Sequence, residues 1–83
     1  MTFHVFVRVM PRVGLLDPQG QAIERALTEL GFSEAAEVRM GRAVELTIEA
    51  ASATEAERRA HAMCERLLAN PVTEDFTVEV AAS

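Results

Sequence analysis

The chain has 83 residues, 49% of them hydrophobic and 25% charged, which fits an ordinary globular domain and excludes a disordered segment. A chain of this length forms one small domain at most and buries only about 60% of its surface, leaving little interior for a deep active site. The net charge is −5 and the eight basic residues are all Arg, scattered along the chain, which argues against nucleic acid as a partner. The single cysteine, Cys64, cannot form an internal disulfide. No apolar run approaches the roughly 20 residues that cross a bilayer, and the N-terminus lacks a charged segment followed by an apolar core. No membrane partner is expected, and a cytoplasmic location is.

Phe3, Val5, Val7 and Val9 alternate with His4, Phe6, Arg8 and Met10, the period-2 pattern of a strand that Pro11 ends. Residues 11–16 then connect to a helix for which Asp17 is the N-cap and Pro18 the first position. Ala22, Ile23, Ala26, Leu27 and Leu30 recur on one face of that helix, and Gly31 is its expected C-terminal stop. Gly20 stands out within the first turn. Glycine there costs about 1 kcal/mol relative to Ala, so a bare backbone is favoured for another reason, and close approach by another chain or a ligand is one candidate.

Residues 37–40 and 43–49 read as two strands joined by a tight turn at Gly41-Arg42, a hairpin with Val38, Met40, Val44, Leu46 and Ile48 facing inward. A capping box, Ser52-Ala53-Thr54-Glu55, opens a second helix with the apolar stripe Ala56, Ala60, Met63, Cys64, Leu67 and Leu68, and Asn70-Pro71 stops it. Phe76, Val78 and Val80 alternate in a last strand. The order βαββαβ predicts a ferredoxin-like α+β fold, a four-stranded antiparallel sheet with both helices on one face. The other face would carry His4, Phe6, Arg8, Met10, Arg39, Glu45, Thr47, Glu49, Thr77 and Glu79 with no helix over it. Phe6 and Met10 are large apolar groups for such a surface, so they are candidate contacts with another copy or a partner.

Chemistry is sparse along the chain. His4, His61 and Cys64 are its only soft metal ligands, and Cys64 belongs to an apolar stripe, so no metal site is expected. Ser33, Ser52 and Ser83 have no nucleophile-elbow context, pairs such as Glu74-Asp75 read as solvated surface, and the four glycines are too dispersed to cradle a phosphate. No catalytic residue and no cofactor of the chain's own is expected.

Four ordered motifs remain. They are Leu16-Asp17-Pro18-Gln19-Gly20, then Ala26-Leu27 with Leu30-Gly31-Phe32, then Val38-Arg39-Met40-Gly41-Arg42, and Leu67-Leu68-Ala69-Asn70-Pro71-Val72. Together, over nearly the whole chain, they closely resemble the PurS family, the small subunits of the multi-protein phosphoribosylformylglycinamidine (FGAM) synthase. The resemblance implies one domain over residues 1–83 without catalysis of its own. In that family a glutaminase subunit releases ammonia from glutamine. A large synthetase subunit, which holds ATP and Mg2+, uses that ammonia to convert formylglycinamide ribonucleotide into the amidine.

The small subunit bridges the two, assists ammonia transfer and forms a homodimer or homotetramer. Leu16, Asp17, Pro18, Gln19, Gly20, Gly41 and Arg42 join Phe6 and Met10 as candidate contacts. Two departures stand out. The stretch from Met10 to Pro18 is about two residues longer than the family's Lys-Pro-Gly-Val-Leu-Asp-Pro, and Gly41-Arg42 replaces its Gly-Lys step. The competing reading is an ACT-like module that binds a small regulatory ligand at an oligomer interface. An acylphosphatase-like hydrolase is a weaker one, because no Arg-rich phosphate loop is present.

Overall fold

The computed structural model describes residues 1–82, so Ser83 lies outside the described residues. Strand β1 spans Thr2–Pro11, helix α1 Pro18–Glu29, strand β2 Arg42–Glu49, helix α2 Ala53–Met63 and strand β3 Glu74–Ala82. The sheet is three-stranded and antiparallel in the order β2-β1-β3. Alternation along β1 sends Phe3, Val5, Val7 and Val9 into the core, where Ala56 and Ala60 of α2 and Cys64 just after it meet them together with Ile48 and Ala69. The small side chains on α2 let the helix backbone come close to a Val-rich sheet.

Helix α2 starts as expected, with Ser52 Oγ accepting the Glu55 N–H at 3.2 Å. The Glu55 carboxylate turns to Arg58 instead of closing the capping box. The end of the helix differs from expectation. Residues Cys64–Leu68 form a π turn, closed by the Ala69 N–H on the Cys64 carbonyl at 3.0 Å. The extra residue in the turn rotates the end of the helix, so Ala69 is buried and Leu67, expected on the apolar stripe, is 81% exposed. Asn70-Pro71 does stop the helix, with Asn70 Oδ1 accepting the Val72 N–H at 3.0 Å. Burial pushes the Cys64 thiol up in pKa, in keeping with its place in the core. His61 is exposed and meets the Phe76 ring edge-on, with centroids 5.3 Å apart.

Two expectations fail here. Residues 37–40 form no strand, so no hairpin turns at Gly41-Arg42, and β2 runs directly beside β1 with Arg42 opposite Val9. Glu37 has a φ of 56°, which breaks an extended run, and the N–H groups of Val38 and Met40 are taken by side-chain carboxylates rather than by a neighbouring strand. Helix α1 likewise does not lie on the sheet beside α2. It has no substantial packing against the sheet or α2, and Ala22, Ala26 and Leu30 of its apolar stripe are exposed.

Residues 12–41 instead project from one end of the sheet as an arm. The molecule accordingly measures 50 × 27 × 14 Å. Its radius of gyration is 16.2 Å, where a compact chain of this length would give about 12 Å.

Candidate functional site

The arm is built around Asp17. As N-cap it accepts the Gly20 N–H at 3.0 Å, and its second carboxylate oxygen accepts the Met40 N–H at 2.8 Å. Further along α1, Glu24 Oε1 accepts the Val38 N–H at 3.0 Å. The returning segment 38–40 is therefore held at alternate amides by two carboxylates, one capping the helix and one within it. Hydrogen bonds from Gly20 first, then Met40, hold the Asp17 carboxyl below the usual carboxylate range. Arg39 closes the base of the arm by donating to the Pro11 carbonyl.

Gly20 lies between these two contacts and is the one buried residue of α1. A β-carbon there would overlap the Val38 carbonyl oxygen and come within 2.6 Å of an Asp17 carboxylate oxygen. Where the sequence offered a ligand or another chain as the approaching group at Gly20, the group that the fold itself brings there is this chain's own backbone. Gly41 has the same character. It serves no hairpin turn; a β-carbon there would overlap the Val9 carbonyl oxygen and the Met10 sulfur. Gly31 does take the left-handed conformation of a helix stop, with φ of 98°. The Phe32 N–H returns to the Leu27 carbonyl at 2.8 Å and the Gly31 N–H to that of Thr28 at 3.1 Å.

Arg42 makes a second anchor. Its guanidinium grips Glu74 through both carboxylate oxygens at 2.6 and 2.9 Å and donates to the Leu68 carbonyl at 2.5 Å. Glu74 also accepts the Asn70 N–H at 2.7 Å. The start of β2, the π turn and the start of β3 are thus tied at one point. The Arg42 guanidinium, followed by the Asn70 N–H, holds the Glu74 carboxyl below its usual range.

Of the candidate contact residues, the fold brings Asp17 and Gly20 together in the arm's clamp and sets Gly41 and Arg42 at its root. Pro18 and Gln19 are exposed on the first turn of α1. Leu16 is 74% exposed. Phe6 and Met10 stand apart on the uncovered sheet face, Phe6 exposed and Met10 half-buried. Glu24 and Glu74 were not among the candidates. Asp17, Gly20 and Glu24 follow i, i+3, i+7 spacing, one helix face, and that was the available signal for Glu24. Nothing in the spacing of Arg42 and Glu74, 32 residues apart, pointed to their pairing.

These features define a small α+β protein whose ordered surfaces are a projecting helical arm and an open sheet face. The family model for PurS, phosphoribosylformylglycinamidine (FGAM) synthase, matches residues 4–82. The chain is 42% identical over 78 residues to the PurS subunit of Bacillus subtilis, covering 94% of this chain and 92% of that one. It is 37% identical over 81 residues to that of Synechocystis, covering 98% and 81%.

Among solved structures, Bacillus subtilis PurS superposes with a TM-score of 0.86 at 41% identity, covering 96% of this chain and 99% of that one. A chain of PurLQS from Thermotoga maritima does so with a TM-score of 0.90 at 32% identity, covering 98% and 99%. The chain belongs to the PurS family, subunits of FGAM synthase in purine biosynthesis.

Proposed function

We propose that this chain is the bridging subunit of an FGAM synthase complex, joining a glutaminase subunit to a large synthetase subunit and assisting the passage of ammonia between them. ATP and Mg2+ belong to the large subunit in this reading, and no step of the chemistry falls to this chain. The observation that supports it best is the arm itself, a clamped helix held away from its own core with apolar side chains facing outward. Such a surface has value only in an assembly. Reconstitution of the synthase with and without the chain tests the reading: glutamine-dependent activity should collapse without it while ammonia-dependent activity persists. Unchanged glutamine-dependent activity would refute it.

The same reading includes self-association. The exposed stripe of Ala22, Ala26 and Leu30 fits the helix-facing side of β2, where Val44 and Leu46 are only half covered by α2. A second copy's α1 laid there would give each sheet the two-helix cover that the sequence pattern calls for. Replacing Ala26 and Leu30 with Asp should then convert the dimer to monomer by light scattering. A wild-type chain that is monomeric at micromolar concentration would overturn this part alone.

A further inference from the structure

The open face of the sheet carries a feature that self-association through α1 does not use. Strand register sets Glu45 of β2 and Glu79 of β3 directly opposite Phe6 on its two sides. With strands about 4.8 Å apart, the two carboxylates bracket the ring across roughly 10 Å. The row lies in a concavity of about 660 Å³ on the sheet, lined also by His4 and Thr47. Phe6 is 37% exposed, an aromatic ring open to solvent at the centre of the face.

The other carboxylates of this face are occupied. Glu49 takes the N-terminal ammonium and Thr2, and Asp75 takes Arg12 at 3.4 Å. Among the described residues, neither Glu45 nor Glu79 forms an ion pair or accepts a side-chain hydrogen bond.

An aromatic face between two free carboxylates is the recognition site of a cation with a flat or apolar body. A guanidinium stacks on the ring while its edges donate to the flanking oxygens, and an ammonium on its methylene stem does so less completely. A second copy of this chain is a poorer occupant, because its matching face offers one arginine, Arg8, among four carboxylates, Glu45, Glu49, Asp75 and Glu79, in a protein of net charge −5. We infer that the Glu45–Phe6–Glu79 row is a docking surface for a basic patch of a partner protein, with an arginine side chain seated over Phe6. This rests on the bridging reading, in which the available partners are the glutaminase and synthetase subunits.

The test is to measure the affinity of the full chain for each purified partner subunit at low and high salt, for the wild type, for the Glu45→Gln/Glu79→Gln double variant and for Phe6→Ser. All three positions are exposed, and circular dichroism checks that each variant folds and melts as the wild type does. The double variant should bind one partner at least about tenfold more weakly at low salt and lose most of its salt dependence, as expected when charge pairs across an interface are removed. Phe6→Ser should weaken the same partner and spare the other.

Unchanged affinity of both variants for both partners would overturn the docking surface while leaving the bridging reading in place. So would an effect confined to self-association by light scattering. A wild-type chain that binds neither subunit would overturn both.

Discussion

The carbonyl oxygen of Val38 occupies the space that a β-carbon on Gly20 would need. Backbone meets backbone at this point, and neither side can yield by a change of rotamer. Replacement of Gly20 by Ala should therefore destabilise the arm by roughly 1–3 kcal/mol, as overpacking does, in spite of the gain of about 1 kcal/mol in helix propensity. Hydrogen exchange checks this directly. The Val38 and Met40 amides should exchange faster in the variant, while those of Val5 and Val7 in β1 keep their protection.

Asp17 binds two amides with its two oxygens, and both bonds favour the charged form. Its folded-state pKa is lowered, so the stabilisation is fully present above the unfolded carboxyl value and is lost as pH falls through the folded one. The Gly20 and Met40 amide resonances should shift together as pH is taken below the ordinary carboxylate range. In Asp17→Asn only one acceptor oxygen remains. That variant should lose one of the two amide contacts at neutral pH and show no such titration.

Arg42 and Glu74 form a forked pair, and the fork also reaches the Leu68 carbonyl. Lysine keeps the charge but cannot make all three contacts at once. Because the Arg42 side chain is 49% exposed, water screens the pair, and Arg42→Lys should cost about 1 kcal/mol in urea denaturation. Glu74→Gln should cost a similar amount, and the double variant less than the sum of the two. The lowered pKa of Glu74 means that this contribution is present at neutral pH and fades on acidification through the folded value.

Glu37 holds a left-handed backbone at φ 56° without being glycine. That conformation costs an L-residue about 1–2 kcal/mol, and glycine's extra unfolded-state freedom takes back about 0.5–1 kcal/mol of the relief. Glu37→Gly should therefore raise stability by about 0.5–1 kcal/mol, and Glu37→Val should lower it. Thermal melting of the two variants side by side checks the sign.

Periodicity served where it could act through local rules. The alternation of Phe3, Val5, Val7 and Val9 located the central strand, and Asp17-Pro18, Gly31 and Ser52 located helix ends that depend only on nearby amides. Gly20 was legible as a place of close approach because glycine's cost in a helix is local, but the identity of the approaching group depends on how residues 38–40 fold back. The hairpin failed for a related reason. Val38 and Met40 carry a strand's alternation, yet their amides are satisfied by Glu24 and Asp17, and no sequence pattern announces a carboxylate that outcompetes a neighbouring strand. The π turn at Cys64–Leu68 was equally hidden, since it changes the phase of a helix without changing its composition.

Asp17 and Glu24 grip the returning segment by its amides and leave the side chains of residues 38 and 40 free of that task. Substitution tolerance at these two positions should therefore be broad as far as the arm's shape is concerned, with proline the exception because it has no N–H to offer. Whatever restricts the choice of side chain there would have to come from the molecules the arm meets. A saturation scan of positions 38 and 40, scored once for folding and once for complex formation, would separate the protein's own requirements from those of its neighbours.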